Sequence, residues 1–147
     1  MTIYLGSDHG GFSLKQKLAA FLQKEGFSVK DFGPFQLDPQ DDYPDFVVPL
    51  AKVVAKEKGS LGIVLCRNGQ GVCIACNKVK GIRAVTGFSL KMVKSTKADD
   101  DANILCLPAD YLSEKEAKEI VLSWIKEPFS GQERHLRRLR KVSRLEA

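Results

Sequence analysis

The sequence predicts an α/β protein built on a five-stranded parallel sheet with helices on both faces. Three observations carry that reading. Short apolar runs alternate along the chain with segments of helical apolar spacing. The run Leu61, Ile63, Val64, Leu65 has the length and β-branched content of a buried strand, and it ends on Cys66. It passes through Arg67-Asn68-Gly69-Gln70-Gly71 into a helix, a strand–loop–helix unit suited to parallel sheets covered on both faces.

Taken in order, Thr2 to Ser7 reads as the first strand. Phe12 to Glu25 follows as a helix, with Leu14, Leu18, Phe21 and Leu22 at helical spacing and Gly26 ending it. Phe27 to Phe32 is a short second strand, and Gly33 to Pro44 a long connection rich in Pro and Asp, of the kind that often serves function. Phe46 to Lys58 is a helix with Pro49 in its first turn, where proline is tolerated. Leu61 to Cys66 is the third strand, followed by a helix over Val72 to Lys78. Gly81 to Thr86 and Asn103 to Leu107 are the last two strands, with a helix over Leu90 to Lys97 between them. Ser113 to Lys126 is a helix in which Ser113 caps and Glu116 completes a capping box. Gln132 to Leu145 forms the last helix.

With 147 residues, 44% of them hydrophobic, the chain suits one domain with a real core. No run approaches the roughly 20 apolar residues of a membrane span, and MTIYLGSDHG lacks a signal region. The four cysteines make no zinc set. Cys73 and Cys76 form a C-x-x-C, but Cys66 and Cys106 supply no second pair at that spacing. On a helix, positions 73 and 76 share a face, so packing on the sheet is preferred over a metal or redox role. A reduced, cytoplasmic protein is expected. The net charge of +5 is concentrated in the tail, where six cations from Arg134 to Arg144 face Glu146 alone. Nucleic-acid binding is not favoured, because no zinc site, aromatic platform or helix-turn-helix signal accompanies them. An arginine cluster around a histidine also suits a phosphate ester, and a solvated helix face accounts for part of it.

Chemistry concentrates at strand ends. Cys66 ends its strand where open parallel sheets put their ligands. The glycine loop after it leaves backbone N–H groups free for an anion, or for an oxygen that becomes negative during a reaction. Asp8-His9-Gly10-Gly11 follows the first strand at the same edge. A histidine there binds a phosphate or hydroxyl, or moves a proton. The plain alternative is a turn in which Asp8 caps the next helix. Asp41-Asp42-Tyr43-Pro44 brings a phenol toward the site or is merely a turn. Asp99-Asp100-Asp101 reads as a solvated turn, too poor in ligands for a metal.

Six motifs stand in register: G-S-D-H-G-G-F (6–12), D-Y-P-D (42–45), C-x-x-G-x-G (66–71), N-K-x-x-G-I-R-A (77–84), D-A-N-I-L (101–105) and R-H-x-x-R (134–138). Together they resemble the type B ribose-5-phosphate isomerases, a family that includes the galactose-6-phosphate isomerase subunits. The resemblance implies a Rossmann-like three-layer α/β/α sandwich over residues 1–147. The basic helix at 132–146 is then expected to pack on a partner subunit. It further implies a cytoplasmic dimer or tetramer with shared active sites, acting in carbohydrate metabolism on a phosphorylated sugar, with no metal or organic cofactor.

By the same resemblance, Cys66 is the base that takes a proton to form a cis-enediolate, a role that needs a thiolate, which a helix N-terminus favours. Asn68, Gly69, Gln70 and Gly71 hold the enediolate oxygen through their N–H groups. Asp8, His9 and Tyr43 line the substrate, and Arg134 and Arg138 lie near the phosphate, from the neighbouring subunit if the family arrangement holds. Departures accompany the match. Arg67 and Asn68 stand where the family has Gly and Ser or Thr. Asp99 and Asp100 replace a ring-opening histidine and an asparagine, and Asp110 an arginine. Arg67 and the tail arginines are left to compensate for the added anions, and Asp99 to act as the ring-opening acid or base. The default substrate pair is ribose 5-phosphate and ribulose 5-phosphate. An open-chain tetrose phosphate, a hexose phosphate and a non-catalytic sugar-binding relative remain the alternatives.

Overall fold

The computed structural model describes residues 1–146. The elements run β1 (Thr2–Ser7), α1 (Phe12–Lys24), β2 (Ser28–Asp31), α2 (Pro44–Lys56), β3 (Leu61–Cys66), α3 (Gln70–Asn77), β4 (Ala84–Thr86), α4 (Leu90–Ala98), β5 (Ile104–Pro108), α5 (Glu114–Lys126) and α6 (Glu133–Ser143). The sheet has the order β2-β1-β3-β5-β4, and every pair is parallel. The fold is the three-layer α/β/α sandwich expected. Leu18 and Leu22 of α1, Val93 of α4, and Ile120, Val121 and Trp124 of α5 pack with Ile3, Leu5, Ile63, Leu65, Leu105 and Leu107 on one face. On the other face, Val47, Leu50 and Ala51 of α2 and Val72 and Cys76 of α3 pack with Tyr4, Val64, Ile104 and Cys106. Strand side chains alternate between these two cores, as the period of two requires.

The chain leaves β1 to build outward through β2, then returns to β3 on the other side. The β1 loop feeds α1 on one face and the β3 loop feeds α3 on the opposite face. The carboxyl ends of β1 and β3 therefore flank the switch point, where open α/β sheets bind their ligands.

Element boundaries depart from expectation for local reasons. α2 begins at Pro44, which occupies the first turn, so Pro49 lies inside the helix and removes one rung of its ladder. α3 begins two residues early, at Gln70, because Gly69 takes a left-handed conformation (φ 73°) that turns the chain straight into it. Gly81 turns at φ 85°, and the Asn103 side chain bonds Gly81 O (2.8 Å) and Arg83 N (2.8 Å). A side-chain amide thus stands in for strand pairing, and β4 is reduced to Ala84–Thr86. A 3-10 turn over Ala109–Tyr111 was not foreseen. The capping box at Ser113 and Glu116 is present, with both reciprocal bonds formed (3.1 and 2.8 Å).

Candidate active site

Two close approaches assemble the carboxyl edge. A side chain on Gly10 would place its Cβ 2.5 Å from Arg67 Cγ, and one on Gly11 would meet Leu65 Cβ at 2.6 Å. The paired glycines thus let the β1 loop lie directly on the end of β3. Asp8 turns this loop, its Oδ1 accepting from Gly10 N (2.9 Å) and Gly11 N (3.2 Å). Gly11, rather than Asp8, is the N-cap residue of α1. The second approach is at Gly71, where a Cβ would lie 2.7–2.9 Å from the Tyr43 ring and hydroxyl. The phenol therefore rests on the first turn of α3.

Cys66 ends β3 opposite Pro108 and is 5% exposed. Its thiol lies 3.7 Å from Asn68 Oδ1, a long sulfur contact in which the thiol is the donor. The same Asn68 oxygen accepts from Gln70 N (2.9 Å). One of the four loop amides expected to hold an oxyanion is therefore occupied by the loop's own side chain. Among the described residues, the N–H groups of Asn68, Gly69 and Gly71 meet no acceptor in the turns and caps. Arg67 reaches away from the cysteine, its Nη1 3.6 Å from Asp110 Oδ2, while Asp110 N donates to Arg67 O (3.0 Å). Arg67 and Asp110, which the sequence reading takes as departures from the family pattern, therefore pair with each other. Beside the loop lies an open cleft of about 410 Å³, lined by Asn68, Gln70, Thr86, Phe88, Pro108 and Tyr111.

His9 is held by a residue that sequence reasoning missed. Asp41 Oδ1 accepts from His9 N (2.9 Å) and lies 2.7 Å from His9 Nδ1. The 33–43 loop that delivers Asp41 is tied down by Lys15, which is fully buried. Its Nζ bonds both Asp31 oxygens (2.7 and 2.6 Å) and Pro34 O (2.9 Å). No sequence signal distinguishes Asp41 from Asp42 as the residue that turns inward.

The remaining predicted residues lie elsewhere. Asp99 and Asp100 follow α4, which runs back from the carboxyl edge, so they sit at the amino edge of the sheet beside the start of β5. There Asp99 Oδ1 lies 3.7 Å from His135 Nε2, and His135 Nδ1 lies 2.8 Å from Ser130 Oγ. Arg134 and Arg138 are exposed on α6 at this same end, and among the described residues neither enters an ion pair. One chain therefore brings Asp8, His9, Tyr43, Cys66 and the 67–71 loop together. It does not bring Asp99, Asp100, Arg134 or Arg138 to them.

The other cysteines pack behind the site, and all four are free. The Cys106 thiol beside Cys73 lowers the Cys73 thiol to about 6 against the opposing effect of burial, with Thr86 helping. Burial pushes Cys76 up to about 12 and Cys106 well above the ordinary thiol range. Among the described residues, no group of three or more His, Cys, Asp or Glu side chains is placed to hold a metal ion. No described helix is long and apolar enough to cross a membrane.

A parallel sheet with a cysteine and free loop amides at its switch point defines the class: an α/β enzyme arranged for a small, oxygen-rich anion. Comparison with known proteins narrows it. The Ribose/Galactose Isomerase family pattern matches residues 3–142, and the chain belongs to that family, whose members are aldose–ketose isomerases. The probable ribose-5-phosphate isomerase B of Mycoplasma pneumoniae is 40% identical over 140 residues, 95% of this chain and 91% of that protein. The crystal structure of ribose-5-phosphate isomerase B from Mycoplasma genitalium with bound ribulose-5-phosphate is 40% identical. It superposes with a TM-score of 0.95, covering 99% of this chain and 95% of that one. The Clostridium thermocellum ribose-5-phosphate isomerase B is 41% identical with a TM-score of 0.95, over 99% and 97% of the two chains.

Proposed function

We propose that this protein interconverts ribose 5-phosphate and ribulose 5-phosphate through a cis-enediolate, with Cys66 as the base and without a metal or organic cofactor. The observation that carries the reading is the placement of Cys66 at the switch point, against the head of α3, beside the free amides of Asn68, Gly69 and Gly71. Cys66, as thiolate, takes the proton from C2 of the open-chain aldose. The negative charge that develops on O1 is met by the loop amides, which need no reorganisation to receive it. Return of the proton to C1, with transfer of the O2 proton to O1, completes the ketose. Tyr43 closes over the loop, and Asp8 and His9 border the substrate oxygens.

The site extends over two subunits in this proposal. Asp99, Asp100, Arg134 and Arg138 are too far along the fold to serve Cys66 of their own chain. A symmetric pairing that sets the amino edge of one chain against the carboxyl edge of its partner unites them, with α6 packing across. Arg134 and Arg138 then meet the phosphate as exposed guanidinium groups that form no ion pair among the described residues. Asp99, backed by His135, serves ring opening. The whole chain acts as a single domain, in the cytoplasm.

Solvent-deuterium exchange into aldose and ketose phosphates of four to six carbons, followed by NMR, tests the reading. Deuterium at C1 of the ribulose 5-phosphate formed and at C2 of recovered ribose 5-phosphate, both lost in C66A, is expected. Exchange confined to open-chain sugars would replace the substrate assignment, and full activity in C66A would remove the mechanism.

A further inference from the structure

The loop between β2 and α2 ends near His9 in an unusual hydrogen-bond arrangement. One oxygen of Asp41, Oδ1, receives both the backbone N–H of His9 (2.9 Å) and the ring nitrogen Nδ1 (2.7 Å). The Asp41 side chain is 7% exposed, and its second oxygen, Oδ2, is buried without a hydrogen-bond partner among the described residues. The His9 ring is 26% exposed. A carboxylate only accepts, so the nitrogen that faces it carries the proton. The backbone bond fixes Asp41 relative to the Cα of His9, and the ring bond then fixes the rotation of the imidazole. Two contacts to one oxygen leave the ring little freedom.

We propose that Asp41 is the positioning residue of His9: it holds the imidazole as the Nδ1–H tautomer, leaving Nε2 free to move a proton between substrate oxygens. The inference rests on the isomerase reading above and assigns to a residue pair a step that reading leaves open. Aldose–ketose conversion transfers the C2 hydrogen and also moves the O2 proton to O1. The Nε2 lone pair takes the proton from O2 and returns it to O1, and no electrons leave the substrate. In this step Asp41 acts only through the ring it holds. A free imidazole favours the opposite, Nε2–H tautomer, which has no lone pair at that atom, so control by a neighbour is required.

Ring NMR gives a readout independent of turnover, and the chain has only two histidines to assign. With the neutral ring, long-range ¹H–¹⁵N spectra of the wild type are expected to show His9 protonated at Nδ1. In D41A the ring shifts to Nε2–H. Its kcat on ribose 5-phosphate falls by roughly 10²-fold, at the lower end of general acid–base effects, with KM changed by less than about threefold. D41N retains an acceptor oxygen, and is expected to keep the tautomer and lose less. A wild-type ring protonated at Nε2 overturns the proposal, and decides it even if D41A does not fold. A D41A enzyme with unchanged kcat overturns the role of Asp41 while leaving the isomerase assignment intact. Absence of wild-type turnover on any of the sugar phosphates removes that assignment, and this step with it.

Discussion

Asp99 Oδ1 stands 3.7 Å from Nε2 of the buried His135, at the end of the sheet opposite the Cys66 thiol. If both residues act on one substrate, they do so from different chains. Inactive C66A and inactive D99N protein should therefore complement each other. After joint unfolding and refolding, random pairing leaves one intact site in each mixed dimer, or roughly a quarter of wild-type activity per site. Mixtures as inactive as their parents would place the two residues outside a common site.

The contact of Tyr43 with Gly71 makes a second test. G71A puts a methyl group 2.7 Å from the ring and must displace it. Overpacking of this kind costs roughly 1–3 kcal/mol in urea denaturation. Kinetics should show a KM for the sugar phosphate raised by about tenfold, equivalent to about 1.4 kcal/mol. An unchanged KM would show that the phenol does not close over the substrate.

Lys15 predicts a larger loss of stability. It is fully buried, and D31A would leave its ammonium without a counter-charge, with Pro34 O its one remaining hydrogen-bond partner among the described residues. Breaking such a pair costs about 3–5 kcal/mol, measurable as a lowered denaturation midpoint. Because this pair anchors the loop carrying Asp41 and Tyr43, folded D31A should also lose activity.

Cys73 should be the most reactive thiol outside the catalytic loop. Its thiol is lowered to about 6, so the nucleophilic thiolate prevails at pH 7 and is lost as pH falls through about 6. Iodoacetamide labelling followed by mass spectrometry should show that decline. Cys76 and Cys106, both raised by burial, should stay unlabelled across the same range. Equal labelling of Cys73 and Cys76 at pH 7 would contradict the arrangement.

The alternating elements were legible because hydrophobic periodicity is local, and the five strands and six helices occur in the expected order, several with shifted ends. Cys73 and Cys76 share a helix face that packs on the sheet, Cys76 fully and Cys73 in part, with the Cys76 thiol against Val47 O. Where a backbone bond is replaced by a side chain, the pattern is silent. The Asn103 amide shortens β4, and the Asn68 oxygen takes up Gln70 N from within the expected oxyanion loop. Asp41 was hidden for a different reason. Its partner lies 32 residues away, and only the path of the 33–43 loop decides which of two adjacent aspartates turns inward. The motifs carried the family because their order and spacing are global. They could not show that Asp99 and Cys66 of one chain stand at opposite ends of its sheet.

Arg67 and Asp110 meet just past the last rung joining β3 to β5, where neither side chain supports the core. Their exposed contact adds little to stability. Its effect is on charge: replacing either residue alone by a neutral one changes the charge at the mouth by one unit, whereas replacing both leaves the sum unchanged. The charge at the mouth can therefore be altered at these two positions without touching the sheet beneath, which keeps its register.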